Sequence, residues 1–266
     1  MLLVIDVGNT NIVFGIFDGE TLEVSWRLTT LPARTADELW ILVNRLFSEH
    51  DVDPKRFDGV ALASVVPVLT QTVAEMVARR IACPILVAAA ENAGLPIAYD
   101  QPADVGADRL VNAVAALRRY AGGPADIRRP IIVVDFGTAT TFDVISSAGE
   151  YQGGVICPGV EISADALFQR AARLPRVDVR KPAEVIGRST VASMQSGLFY
   201  GYVAMVEGIV KRLRDELGND AVPICVGTGG LAGAVASETT VIDAVEPDLT
   251  LIGLRYVWEE HGGAGA

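Results

Sequence analysis

The alternation of apolar and polar positions predicts that the chain opens with a β-hairpin. Residues 2–5 form an apolar run that leads to Asp6, small polar residues follow at 8–11, and a second apolar run extends to Phe17. Two apolar runs separated by Gly and Asn are typical of antiparallel strands joined by a tight turn. Asp6 then lies at a strand end beside the turn, where a carboxylate can hold Mg²⁺ or one of its waters. The alternative is an ordinary solvated aspartate, since Asp, Gly and Asn are common turn formers.

The same plan occurs a second time. Residues 131–134 are apolar, Asp135 and Gly137 follow, and small polar residues lead into another apolar run that ends at Ile145. Two copies of an Asp-x-Gly hairpin indicate a duplicated domain. Such turns present backbone N–H groups and hydroxyls to an anion, and a pair of them could grip a polyphosphate. The repeat therefore favours a phosphate-binding role over the ordinary turn.

Periodicity elsewhere predicts a mixed α/β chain. A capping box from Thr35 to Glu38 predicts the start of a helix. Further strands are predicted at 21–30, 59–65, 84–88, 153–159 and 222–226, and further helices at 67–81, 110–120, 162–172, 191–217 and 249–258. We predict one domain at 1–121 and a second at 128–260, with a linker around 122–130. We also expect a last helix that can pack back on the first domain, and a disordered tail at 261–266.

Composition narrows the class of protein. Half of the 266 residues are hydrophobic and the formal net charge is -11, which suits a large globular core and disfavours a surface that binds nucleic acid. The N-terminal stretch lacks a basic region and no apolar run reaches membrane-spanning length, so we expect a cytoplasmic protein without a membrane partner. Cys83, Cys157 and Cys225 are too widely spaced for a disulfide framework or a zinc site, and we expect buried thiols.

A turn-rich segment at 99–109 runs into the predicted helix at 110–120 and contains the adjacent pair Asp108 and Arg109. A hydroxyl that attacks phosphorus needs an oriented carboxylate to take its proton, and Asp108 is our candidate for that base. A helix N-cap is the alternative for the same residue. Arg109 could bind a substrate carboxylate or simply pair with a nearby acid.

The glycine-rich stretch at 227–232 leaves two interpretations open. The chain contains no Gly-x-x-x-x-Gly-Lys-Ser/Thr, which excludes a P-loop. Gly227 follows a predicted strand, and Asp243 is expected to end the next strand, as in a dinucleotide-binding fingerprint. An NAD-linked oxidoreductase is therefore one interpretation. The position of the stretch, downstream of both Asp-x-Gly hairpins, favours a contact with the purine of a nucleotide.

Four segments together resemble the type III pantothenate kinases: Asp6-Val7-Gly8-Asn9-Thr10-Asn11, Gly106-Ala107-Asp108-Arg109, Asp135-Phe136-Gly137-Thr138-Ala139-Thr140 and Gly227-Thr228-Gly229-Gly230-Leu231. The resemblance implies two ribonuclease-H-like domains of the actin-like ATPase fold, with mixed sheets and a nucleotide cleft between the domains. The implied reaction is ATP-dependent phosphorylation of the primary hydroxyl of pantothenate to 4'-phosphopantothenate, the first step of coenzyme A biosynthesis. A non-catalytic nucleotide-binding regulator of the same fold is the second hypothesis.

The resemblance also implies roles for individual residues. The ATP site would comprise Asp6, Val7, Gly8, Asn9, Thr10, Asn11, Ile12, Val13, Thr138, Gly227, Gly229 and Gly230. Asp6 would place Mg²⁺, directly or through water, and Asp135 would bind the monovalent cation, K⁺ or NH₄⁺. Pantothenate would be bound by Tyr99, Gly106, Ala107, Asp108, Arg109 and Thr190. Among these, Asp108 would be the base, Arg109 would hold the carboxylate, and Thr190 would act across a homodimer.

Overall fold

Two five-stranded mixed sheets form the framework of the protein. The computed structural model describes residues 1–122, 129–218 and 221–261. These form two compact units: Met1–Ala115 with the segment from Leu249 onward, and Ala116–Asp248. Most of the predicted linker, 123–128, and the tail at 262–266 lie outside the described residues. No helix in the described ranges is long and apolar enough to cross a membrane.

The first unit contains one sheet and its helices. The strands are β1 (Leu2–Val7), β2 (Asn11–Asp18), β3 (Thr21–Thr29), β4 (Gly59–Ser64) and β5 (Ile85–Val87), and the helices are α1 (Ala36–Glu49), α2 (Pro67–Met76), the start of α3 (Ala107–Tyr120) and α7 (Leu249–His261). The capping box is confirmed, because Thr35 Oγ1 accepts the Glu38 N–H at 3.3 Å and Glu38 Oε2 accepts the Thr35 N–H at 2.9 Å. A π-helical turn, Val77–Ile81, follows α2.

The second unit repeats this plan. Its strands are β6 (Ile131–Phe136), β7 (Ala139–Ile145), β8 (Tyr151–Pro158), β9 (Ile224–Gly229) and β10 (Ala244–Val245), and its helices are the end of α3, α4 (Val160–Arg170), α5 (Thr190–Leu217) and α6 (Ala232–Ala236). The strand order is β3-β2-β1-β4-β5 in one sheet and β8-β7-β6-β9-β10 in the other. In each sheet the first strand is central, antiparallel to the next strand in sequence and parallel to the fourth. The predicted duplication is therefore present in the topology.

Apolar side chains on one face of each sheet form its core. In the first sheet, Leu3, Ile5 and Val7 pack in one cluster with buried residues of α1 and α2. In the second sheet, Ile132, Val134 and Phe136 pack with α5 and α6. The opposite face of the first sheet is covered by α7, whose contact is close enough that a Cβ on Gly59 would lie 1.9 Å from the Trp258 ring.

Two predictions from the sequence are corrected. The strand predicted at 222–226 instead runs from Ile224 to Gly229, because its glycines lie within a paired strand and not in a turn. Only Cys225 is buried, whereas Cys83 and Cys157 are partly exposed. Burial raises the pKa of the Cys225 thiol to about 12, so this thiol stays protonated at neutral pH.

Candidate nucleotide and substrate site

The first Asp-x-Gly turn lies at the end of the central strand of its sheet. Asp6 is the fifth residue of β1, opposite Val13 on β2, and is partly exposed. The Gly8 N–H donates to the Asn11 carbonyl at 2.9 Å and closes the turn. Asn9 and Thr10, at the tip, are exposed. The turn can therefore offer polar groups to an anion next to a carboxylate.

Thr30, which the sequence analysis did not single out, fastens this turn. Its N–H donates to the Thr10 carbonyl at 2.9 Å, and its Oγ1 donates to the Gly8 carbonyl at 2.7 Å. Thr30 is 8% exposed and directly follows β3. Its role depends on where the third strand ends relative to the first turn, a pairing that local sequence does not reveal.

The second turn has a similar arrangement but is one residue shorter. Asp135 is the fifth residue of β6, opposite Thr141 and partly exposed. The Gly137 N–H donates to the Ala139 carbonyl at 3.0 Å, and Thr138 is exposed at the tip. Gly159, the residue after β8, donates its N–H to the Thr138 carbonyl at 3.2 Å. Thr30 and Gly159 thus occupy equivalent positions.

The third glycine segment meets Asp135 directly. Gly229 has φ +85°, and a Cβ there would lie 2.7 Å from Asp135 Oδ1 and from the Phe136 carbonyl oxygen. Gly230 is exposed, whereas Gly227 is buried in β9, where a Cβ would lie 3.3 Å from Ile242 Cγ2. Glycine at 229 therefore lets the backbone of this segment approach the Asp135 carboxylate closely.

The Gly106 to Arg109 segment lies at the same edge of the first sheet as Asp6. The Val65 N–H, just after β4, donates to the Val7 carbonyl at 3.0 Å, and a Cβ on Gly106 would lie 3.6 Å from Val65 Cγ1. The same Cβ would lie 2.6 Å from Asp108 Oδ1. Glycine at 106 is therefore required by the position of the Asp108 carboxylate.

Asp108 is not an N-cap, because α3 begins at Ala107 and places it in the first helical turn. Burial raises the pKa of the Asp108 carboxyl, and the Arg109 N–H, which donates to Asp108 Oδ1 at 2.8 Å, opposes that rise only in part. A carboxyl with a raised pKa is a better proton acceptor near neutral pH. Arg109 is only 9% exposed, so its place beside Asp108 is fixed by packing.

The two remaining residues predicted to contact pantothenate, Tyr99 and Thr190, are exposed. Tyr99 is 39% exposed, in the loop that precedes α3. Thr190 is the first residue of α5, whose N-cap Ser189 accepts the Ala192 N–H. Thr190 also lines a cavity of about 530 Å³ in the second unit. The other lining residues are Leu167, Leu174, Ser193, Met194, Gly197 and Leu198.

The carboxylates of the site suit cations that also bind oxygen atoms of a ligand. Across the described ranges, no group of three or more His, Cys, Asp or Glu side chains could hold a metal ion. Mg²⁺ commonly takes one or two carboxylates and completes its coordination with phosphate oxygens and water. Asp6 and Asp135, each a carboxylate near the end of a central strand, are the candidate ligands for such cations.

The dinucleotide interpretation of 227–243 is wrong. The second sheet has an antiparallel hairpin beside its central strand, whereas the dinucleotide fold has a mostly parallel sheet. Asp243 does not end a strand but directly precedes β10. Its carboxylate accepts the Cys225 N–H at 2.7 Å and so is already engaged within the second unit.

Comparison with known proteins agrees with this geometry. A model of the type III pantothenate kinase family matches residues 2–212. The type III pantothenate kinase of Moorella thermoacetica is 50% identical over 262 residues, covering 98% of this chain and 100% of the relative. That of Myxococcus xanthus is 50% identical over 260 residues, covering 97% and 98%.

Solved structures show the same fold at low identity. A Baf family protein of Campylobacter jejuni has a TM-score of 0.59 at 18% identity, covering 98% of this chain and 99% of that one. The polyphosphate/ATP-glucomannokinase of Arthrobacter has a TM-score of 0.51 at 16% identity, with the same coverages of 98% and 99%. These two likenesses concern the fold alone.

Duplicated mixed sheets, each with an aspartate near the end of its central strand, place the chain in the class of proteins with the actin-like ATPase fold. The full-length relatives and the matched family model narrow this class further. The chain belongs to the type III pantothenate kinase family.

Proposed function

We propose that the protein transfers the terminal phosphoryl group of ATP to the primary hydroxyl of pantothenate. The hydroxyl oxygen forms a bond to the γ-phosphorus, the bond from that phosphorus to the bridging oxygen breaks, and ADP leaves. Asp108 accepts the hydroxyl proton. The observation that carries this proposal is a partly buried carboxylate of raised pKa at the sheet edge that also bears Asp6 and its turn.

Each Asp-x-Gly turn contacts phosphates of ATP in this proposal. Backbone N–H groups and the side chains of Thr10 and Thr138 contact the phosphates, and Gly229 and Gly230 lie under the adenosine. Asp6 would hold Mg²⁺, and Asp135 would hold K⁺ or NH₄⁺. When bound, these cations would supply positive charge that offsets the charge of the phosphates. The equivalent positions of the two aspartates in their sheets support this division.

Arg109 and Tyr99 hold the pantothenate in place. Arg109 pairs with the carboxylate, because a guanidinium can bind a carboxylate through two parallel hydrogen bonds. The buried setting of Arg109 favours a fixed geometry, which phosphoryl transfer requires. Tyr99 contributes from the exposed loop before α3.

We further propose a homodimer in which Thr190 contacts the pantothenate bound to the partner subunit. The exposed N-terminal turn of α5, which carries Thr190, and the apolar cavity beside it support this arrangement. Mixing inactive Asp108→Asn and Thr190→Ala subunits tests it, because each mixed dimer would contain one intact site. We expect the mixture to recover turnover. A protein that sediments as a monomer, or a mixture that stays inactive, would contradict the shared site.

Incubation with ATP, Mg²⁺, K⁺ and pantothenate tests the reaction itself. ADP and 4'-phosphopantothenate are expected, detected by coupled assay and mass spectrometry. Turnover of another alcohol but not of pantothenate would overturn the substrate assignment. ATP binding without any turnover, unchanged by Asp108→Asn, would instead identify a nucleotide-binding regulator.

The monovalent cation has a readout of its own. A thermal shift that depends on K⁺, measured against Na⁺ at equal ionic strength, is expected in the natural protein and not in Asp135→Asn. An equal shift in both proteins would place the cation elsewhere.

A further inference from the structure

Tyr202, on α5, forms a chain of hydroxyl hydrogen bonds that reaches the start of α4. Its side chain is buried, and its hydroxyl contacts both the Pro158 carbonyl and, at 2.8 Å, Ser163 Oγ. A carbonyl can only accept, so the single Tyr202 proton goes to Pro158. Ser163 must then donate to Tyr202. The hydroxyls of α4 and α5 are thereby joined to the end of β8.

Pro158 directly precedes Gly159, whose backbone contacts the second Asp-x-Gly turn. It pairs with Ala139 at the start of β7, and Gly159 donates its N–H to the Thr138 carbonyl at 3.2 Å. A Cβ on Gly159 would lie 2.1 Å from the Thr138 carbonyl oxygen and 2.8 Å from that of Gly137. Displacement of Pro158 would therefore move Gly159 and the turn that rests on it.

The duplicated sheet supplies an internal comparison. In the first turn, the residue after the third strand is Thr30, whose hydroxyl also bonds the Gly8 carbonyl. Gly159 holds the equivalent position and has no side chain to make that second bond. In the second unit, the hydroxyl that restrains this corner comes from a helix instead, through Tyr202 and Pro158.

We propose that Tyr202 is a positioning residue for ATP, acting on the Gly137–Thr138 turn through Pro158 and Gly159. This inference rests on the proposed function, in which that turn contacts the phosphates. It also makes α5, the helix that begins at Thr190, a support of the nucleotide turn. The pantothenate contacts of the first unit do not depend on this chain of hydrogen bonds.

Steady-state kinetics of Tyr202→Phe test the proposal, because the substitution removes one hydroxyl and keeps the ring. We expect KM for ATP to rise by about three- to tenfold, the range expected for one lost hydrogen bond, and KM for pantothenate to stay within about twofold. Ser163→Ala keeps the bond to Pro158 and should have a smaller effect. Tyr200→Phe, on the same helix beside Phe199, is the matched control and should leave both constants unchanged.

Hydrogen exchange gives a readout that does not require catalysis. Loss of the Tyr202 hydroxyl should speed exchange of the Gly159 amide, whereas Tyr200→Phe should not. Unchanged ATP constants and unchanged Gly159 exchange in Tyr202→Phe would overturn the inference, as would an equal rise in both KM values. If the natural protein neither binds ATP nor turns over pantothenate, the proposed function fails first, and the exchange result alone decides whether Tyr202 restrains the turn.

Discussion

A single, partly buried carboxylate, that of Asp108, carries the chemistry proposed here. The pKa of Asp108 is raised chiefly by burial, so the fold disfavours the charged form that a general base must have at neutral pH. A raised pKa favours folding at low pH, and this contribution is lost as the pH rises through the folded value. At neutral pH the ionised form of Asp108, which catalysis requires, therefore lowers the free energy of unfolding.

Asp108→Asn should thus separate activity from stability. We expect kcat to fall by about 10² or more, while the melting temperature at pH 7 rises, because the neutral amide is easier to bury and can still accept the Arg109 N–H. Asp104→Asn, at an exposed position in the preceding loop, serves as the control and should change neither quantity. Retained kcat in Asp108→Asn would exclude the general-base role.

The pH profile provides an independent check on the same residue. The acidic limb of kcat/KM reports the free-enzyme base, so it should lie above about 3.9, the value for an unperturbed aspartate. Activity is expected to fall as the pH drops through this raised pKa. The residual activity of Asp108→Asn should lack this limb. A profile that is identical in the two proteins would assign it to another group.

The residues recognised from sequence and those missed differ in how their roles are encoded. Asp6 and Asp135 end apolar runs, so local pattern alone places them at strand ends. Thr30 and Gly159 follow a third strand, and their partners lie about 20 residues earlier in the chain. Only the register of the sheet brings them to the turns, and periodicity within one segment does not specify that register.

At the level of elements, the first hairpin depends on the strand that pairs with it. Thr30→Val keeps the backbone bond to Thr10 but removes the hydroxyl that satisfies the Gly8 carbonyl. We expect KM for ATP to rise several-fold, since the turn loses a restraint worth about one hydrogen bond. The neighbouring Thr29→Val, at an exposed position, is the comparison. Equal effects of the two variants would argue for strand propensity as the cause.

Helix α7 packs on the first sheet with little free space. Because a Cβ on Gly59 would meet the Trp258 ring at 1.9 Å, Gly59→Ala should lower the free energy of unfolding by about 1–3 kcal/mol, the usual cost of overpacking. Gly233→Ala, where a Cβ meets nothing within 4 Å, should be neutral or slightly stabilising. Denaturant unfolding measures both, and an unchanged Gly59→Ala would show that Trp258 can move aside.

The errors at this level have a common source. The strand predicted from sequence stops at residue 226, yet Gly227 and Gly229 complete β9, whose neighbours on both sides supply the pairing. Gly227 faces Ile242 at a distance that barely admits a Cβ. Tertiary packing selects glycine there, and composition alone cannot distinguish that requirement from a turn.

At the scale of the whole molecule, the sequence repeat predicts the architecture well because both copies keep the Asp-x-Gly signature. The repeat by itself does not specify which sheet each helix covers, and for the last helix the sequence predicts only that it can pack back on the first domain. Helix α7 joins the first unit through Leu251, which lies against Gly15, and Gly253, where a Cβ would lie 2.0 Å from the Val111 carbonyl. An apolar stripe identifies the face of a helix that is buried but not its partner.

A chain that ends at Asp248 should therefore lose the fold of its first unit. Removal of α7 uncovers one face of the first sheet, because Leu251 and Trp258 no longer lie against Gly15 and Gly59. We expect the truncated chain to aggregate or to unfold with much lower cooperativity. Circular dichroism measured during heating tests this. A truncated chain with a sharp transition at the original temperature would contradict this expectation.

The first unit is formed by two segments from opposite ends of the chain, so it can be completed only late in synthesis. Residues 116–248 emerge from the ribosome before Leu249 does. The second unit can therefore fold while the first unit still lacks α7. The opening hairpin, made first, is thus among the last parts to be finished. Nascent chains of this protein should expose the uncovered face of the first sheet to chaperones for most of translation.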